Sequence, residues 1–382
     1  MNSNPPFPLG EAVTRADLDA NLHEILAGLR QDEPVTWVPG LNGWLVTRRD
    51  LVVRVLEDSI GFTVVDPRFA VMQVMGSNML GADGGEHARH RGPFEPEFGM
   101  SAVRNRLAET VERTAGELTE RLKPRGEAEV RRDLAAPLAV QVVRDALGLD
   151  VDVDQLLGWY DDIVVAMTRA SDGSVEEDSR PEAMDHIGSA VRSVAGGRSA
   201  LLTAAADELE IEAVVSNAAV VMFGGIETSE TMTASAFAHI LTYQDPESIA
   251  AQPDILVRAI DESLRLEPPV VQIDRFATAD TEIGGVRISE GDFVMASVAG
   301  ANRDPAFYSE PERFDPYRPN ARAHLAFAKG PHTCIGMHLA RVETRAALMA
   351  AFDAYPNLAL AGQVTWSGSV FRKPNEVLVS WD

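Results

Sequence analysis

One cysteine, Cys334, occurs in 382 residues, so no internal disulfide can hold this chain together and its fold must rest on apolar burial. With 45% hydrophobic residues, the material for a sizeable core is present. The cysteine lies in Phe327-Ala328-Lys329-Gly330-Pro331-His332-Thr333-Cys334-Ile335-Gly336, followed by a helix-like run from Met337 to Glu343. A helix N-terminus offers free N–H groups and a positive dipole end, which favour thiolate over thiol. Gly330 and Gly336 remove side chains where a flat ligand would approach the backbone closely.

Apolar residues at three-to-four spacing predict helices over Ser101–Leu122, Asp133–Leu147, Ile211–Leu241 and Asp254–Leu266. Val35–Val38 and Trp44–Thr47 flank a Pro39–Gly43 turn and read as a hairpin. Further strands are expected within Glu282–Ile288, Phe293–Ala296 and Glu376–Ser380. The acidic run Asp172–Asp185 reads as a solvated loop between helices. The fold class is therefore mainly α with small β-sheets. No repeat or composition break divides the chain, so 1–382 reads as a single domain.

The net charge of −24 argues against nucleic-acid binding, which needs a basic face. Most of that acidity fits solubility through self-repulsion. Between Arg313 and Arg341, however, Arg313, Arg318, Arg322, Lys329 and Arg341 face one acid, Asp315. That stretch reads equally as a landing site for an acidic partner or as an ordinary solvated surface. The polar, proline-rich Met1–Pro8 lacks a basic and apolar leader pattern, and the apolar run Ala213–Phe223 is too short to span a bilayer. A cytoplasmic, monomeric protein without membrane attachment is expected.

An electron-rich sulfur on an open, glycine-lined loop suits an axial ligand of haem iron. The loop resembles the cysteine-ligand loop of the cytochrome P450 family, Phe-x-x-Gly-x-x-x-Cys-x-Gly, at Phe327, Gly330, Cys334 and Gly336. Ala328 stands where many relatives carry a second glycine, a difference of one methyl expected to leave haem binding intact. The resemblance spans about Trp44 to Val379 and implies the cytochrome P450 fold, with haem between a long central helix and the cysteine loop. It implies haem b (heme b) ligated by Cys334. Histidine and arginine partners for the haem propionates are implied at His87, Arg91, Arg275 and His332. The alternative for His87 and His90, a metal pair, lacks further ligands at recognisable spacing.

Gly224-Gly225-Ile226-Glu227-Thr228 places two glycines inside an apolar helix, at about 1 kcal/mol each relative to alanine. Taken alone this suggests tight helix packing. It is also similar to the family's oxygen-binding segment, which implies a locally opened helix, with Gly225 near the haem, Thr228 donating a hydrogen bond at the reacting oxygen and Glu227 relaying protons. Glu262 and Arg265, spaced i,i+3, resemble the family's structural Glu-x-x-Arg pair. Arg318 is the expected third member, with Arg313 as competitor. By family position, Met75, Val220, Phe223, Val270, Val271, Val370 and Phe371 are candidates for a lipophilic substrate pocket.

The resemblance implies a haem-thiolate monooxygenase that inserts one oxygen atom from O2 into a small lipophilic molecule, by hydroxylation or epoxidation in secondary metabolism. The chain carries neither a flavin-binding segment nor iron–sulfur cysteines, so a separate ferredoxin and ferredoxin reductase would supply electrons. A peroxide-driven peroxygenase or an oxidative coupling enzyme would share Cys334. A haem sensor would need Cys334 but not Thr228. A cysteine hydrolase pairing Cys334 with His332 finds no orienting partner nearby.

Overall fold

The computed structural model describes residues 6–171 and 181–382. Its organising element is the helix Ile211–Leu241, buried along nearly its whole length. At 1.5 Å per residue, 31 residues make a rod of about 46 Å. Because its sequence is apolar on almost every face, it is stable only where protein surrounds it. The helices Ala136–Leu147, Ala183–Val194, Pro253–Leu266 and Met337–Ala354 all pack against it. By length and composition alone it could cross a membrane, but 61% of its most apolar window is buried inside the protein, as befits a core helix.

The other helical expectations are met with altered ends. Met100–Ala102 runs into a π-turn, Val103–Leu107, before Ala108–Leu122. A second π-turn, Arg131–Ala135, precedes Ala136–Leu147. Glu129 stands just ahead of it, its carboxylate accepting the amides of Arg131 and Arg132. Most of the expected acidic loop, residues 172–180, lies outside the described residues. Its end does not remain a loop: Ala183–Asp185 opens the helix Ala183–Val194, where acid at a helix N-terminus is favourable.

The hairpin Val35–Val38/Gly43–Val46 pairs Val35 with Val46 and forms one edge of a five-stranded sheet. Phe293–Ser297 joins it in parallel, Gln272–Ala277 follows antiparallel, and Phe62–Thr63 closes the other edge. Thr47 falls outside the strand, its amide instead donating to the Pro34 carbonyl. Thr281–Ile283 and Val286–Ile288 form a separate hairpin across Gly284 and Gly285, at φ 58° and 84°. Two consecutive left-handed residues are what a tight two-residue hairpin turn of this type requires. Leu378–Ser380 lies between Glu127–Glu129 and Ala359–Leu360.

On the helix Pro253–Leu266, Glu262 and Arg265 are fully buried and form a two-pronged ion pair at 2.7 and 2.8 Å. Arg318 reaches the same carboxylate at 2.8 Å, whereas Arg313 is exposed and pairs with Glu310. The two buried guanidiniums also donate to the carbonyls of Asn302, Ser309, Glu310, Pro311 and Arg313. Arg265→Met should therefore lower stability by about 3–5 kcal/mol, because it removes both bonds of one cation to a buried carboxylate and leaves Arg318 as its single charged partner. Arg313→Met should change it by less than about 0.5 kcal/mol. Urea unfolding of the two variants measures the contrast.

Candidate functional site

The chain from Asp304 to Gly336 has almost no regular structure, and specific hydrogen bonds shape the cysteine loop. Leu325 donates its amide to Asn302 Oδ1 at 2.7 Å, Ala328 to the Leu325 carbonyl at 2.9 Å, and Cys334 to the Phe327 carbonyl at 2.9 Å. Gly330 has φ 78°, and a Cβ there would lie 2.5 Å from the Leu56 carbonyl oxygen, so no other residue fits. Ala328 adopts φ 58°, the same left-handed region, without glycine's freedom. Arg341 stacks its guanidinium over the Phe327 ring at 4.5 Å. At Gly336, which caps Met337–Ala354, a Cβ would sit 4.0 Å from Cys334 Sγ.

Cys334 is exposed by area yet surrounded by protein on most sides. Burial dominates and raises its thiol's pKa. The amides of Gly336 and Met337 and the charges of Arg91 and Arg341 pull the other way but do not prevail. The helix-start argument thus identifies real thiolate-favouring donors, while desolvation outweighs them.

Met337–Ala354 crosses the central helix where Thr233 and Thr344 share a hydrogen bond at 3.0 Å and Ser229 bonds Glu343. On the N-terminal side of this crossing both segments become accessible, at Gly224 and at Cys334. Gly224 has open space where a Cβ would be, so alanine would fit. Gly225 differs: its missing Cβ would lie 2.7 Å from Val143 Cγ2 of Ala136–Leu147, so helix packing explains this glycine. The helix runs through the segment without a break, and the Thr228 hydroxyl donates to the Gly224 carbonyl at 2.5 Å. Glu227 is buried, accepting from Tyr160 and Lys373.

The remaining cationic candidates gather around the cysteine loop. Arg91 donates to the Thr333 carbonyl at 2.9 Å, and the His87 and His332 rings touch with centroids 4.4 Å apart. Burial and the neighbouring His332 and Arg91 lower His87 to about 4. His332 Nε2 meets Asp83 Oδ1 at 3.0 Å. Burial pushes Asp83 upward, but hydrogen bonds from His332, Thr63 and the Val64 amide hold it at about 2. Arg275 donates one nitrogen to the Asp274 carbonyl, while its Nη2 is buried with no partner among the described residues. His90 belongs to the core instead: Asn217 and Ser77 engage its two ring nitrogens.

Of the apolar candidates, Phe223 and Phe371 meet edge to face at 5.8 Å, and Val270 bridges to Phe371. Met75 and Val220 are buried in the same core cluster as Phe223, and Val370 is exposed. Val271 packs elsewhere, with Leu18, Leu22, Leu45 and Met295 beneath the N-terminal helix. The local basic surplus meets acids outside the stretch: Lys329 pairs with Glu57, Arg322 and Arg341 with Asp261, and Arg313 with the nearby Glu310. Sequence reasoning missed Tyr160, Asp83 and Lys373. Only Lys373 left a signal, standing two residues after Phe371 and so on the same face of an extended segment.

Ala328→Gly should stabilise the protein by about 0.5–1 kcal/mol, the relieved left-handed strain exceeding the added flexibility of the unfolded chain. Denaturant unfolding reads this directly.

A cytochrome P450 family model matches residues 247–356. The 20-oxo-5-O-mycaminosyltylactone 23-monooxygenase of Streptomyces fradiae is 30% identical, over 94% of this chain and 89% of its own. The 6-deoxyerythronolide B hydroxylase of Saccharopolyspora erythraea is likewise 30% identical, over 91% and 92%. The crystal structure of CalO2 superposes with a TM-score of 0.84 at 25% identity, covering 96% of this chain and 97% of that one. Order of motifs, architecture and full-length similarity agree, and the chain belongs to the cytochrome P450 family of oxygen-incorporating oxidoreductases.

Proposed function

We propose that this protein is a single-domain haem-thiolate monooxygenase of the cytoplasm that inserts one oxygen atom from O2 into a lipophilic small molecule. The observation that carries the reading is Cys334, accessible at the mouth of a helix whose N-terminal amides point at its sulfur. The surrounding residues fit a haem. Arg275 has an unused buried nitrogen suited to a carboxylate, with Arg91, His87 and His332 on the same rim of the loop. Gly336 leaves room beside the sulfur, and Gly224 leaves room on the central helix.

Haem bound there supplies the redox chemistry of oxygen activation. Cys334 would hold the haem iron through its sulfur, and the positive iron would favour the thiolate over the thiol that burial favours. Arg91 and Arg341 add positive charge near that sulfur. The Thr228 hydroxyl is held by the Gly224 carbonyl at the accessible turn of the central helix. By rotating about Cα–Cβ it can present its proton to that space. Glu227, one residue earlier, can accept a proton from the solvent side and pass it inward. Phe223, Phe371 and Val270 form the apolar wall that favours a lipophilic substrate and excludes water.

Electrons come from a separate ferredoxin and its reductase, and the named macrolide-modifying relatives favour a secondary-metabolite substrate. Turnover with ferredoxin, reductase and NAD(P)H should give product coupled to electron consumption. Thr228→Ala should divert most of those electrons to peroxide or water, lowering coupling by about tenfold or more, against the roughly 10²–10⁴-fold that a positioned proton donor can contribute. Product formation with peroxide alone, or unchanged coupling in the variant, would contradict the reading.

A further inference from the structure

Glu227 is held at both oxygens by groups outside its own helix. The Tyr160 hydroxyl donates to Oε2 at 2.8 Å, and the Lys373 ammonium donates to Oε1 at 2.6 Å. The same two segments also bracket Phe223, one turn earlier on the central helix: Tyr160 stacks on its ring at 6.4 Å and Phe371 meets it edge-on at 5.8 Å. The register explains the arrangement. Four helical residues rise about 6 Å and two extended residues about 6.6 Å, so Phe371 and Lys373 reach Phe223 and Glu227 together.

The charged neighbours come from several elements. Glu230 lies one turn further along the central helix, its carboxyl pushed up by burial, and pairs with Arg131 at 2.7 Å. Arg131 also donates to the carbonyls of Pro374 and Asn375, fixing the segment that carries Lys373. Asp161 adds negative charge beside Tyr160. Lys373 is therefore the cation that directly offsets Glu227, and its side chain remains 38% exposed.

We propose that Lys373 and Tyr160 are positioning residues that hold the Glu227 carboxylate in place next to Thr228 in the helix, with Lys373 linking that buried carboxylate to solvent. The inference rests on the monooxygenase reading for its purpose but not for its geometry. Without the ammonium, Glu227 would be a buried carboxylate with one neutral donor, and it would take up a proton at higher pH.

Infrared titration of the purified protein, with the acid band assigned by Glu227→Gln, tests this without turnover. Lys373→Met should move protonation of Glu227 upward by about one pH unit or more, and Lys373→Arg should restore it. Tyr160→Phe, which removes one hydroxyl and keeps the ring, should shift it the same way by less. The acid limb of the substrate-oxidation pH profile should move with the band. A band that titrates identically in wild type, Lys373→Met and Tyr160→Phe would overturn the proposal, as would a pH profile that stays fixed while the band moves. Failure to bind haem would undo the monooxygenase reading and leave the infrared result standing.

Discussion

The buried carboxylate of Glu262 governs how the cysteine loop is held. A charge with no solvent access persists only if its partners are fixed, and Arg265 and Arg318 supply that from two parts of the chain. Their remaining N–H groups satisfy carbonyls between Asn302 and Arg313, a stretch without regular secondary structure. Asp315 adds its own amide to Glu262 at 3.1 Å. An irregular segment leading to Cys334 thereby gains a defined path, and the loop can keep Gly330 against Leu56 and Cys334 against Phe327.

Around that anchor the site divides into surfaces with different demands. The cysteine side is built from backbone geometry: left-handed residues at 328 and 330, and amides that converge on sulfur. The central helix supplies a second accessible surface, at Gly224, within a helix buried along most of its length. Polar groups on the helix find partners on other elements, as with Thr233 to Thr344 and Glu230 to Arg131. Such pairing is what lets a largely apolar helix carry acids through the core.

The local parts of this arrangement were readable in the sequence. The bounds of Ile211–Leu241, the Pro39–Gly43 hairpin and the cysteine loop all rest on short-range patterns. Choosing between Arg313 and Arg318 also succeeded, with Arg318 the one that reaches Glu262. What stayed hidden depends on distant partners. The basic run Arg313–Arg341 looked unpaired because Glu57 and Asp261 are far away in sequence. The thiol's direction of shift depends on total burial, which no local motif encodes. The packing of Gly225 against Val143 on another helix was equally hidden, and Val271 joined a different core cluster from Phe223. Tyr160 reaches Glu227 from 67 residues away, with nothing in its own surroundings to indicate it.

The central claim is that Cys334 sulfur would hold the iron of a bound haem. The most direct measurement is the absorption spectrum of the reduced protein under carbon monoxide, wild type against Cys334→Ser. The account predicts the red-shifted band of a thiolate-ligated ferrous adduct in the wild type and its loss in the variant, even where haem is retained. Persistence of that band in Cys334→Ser would contradict it.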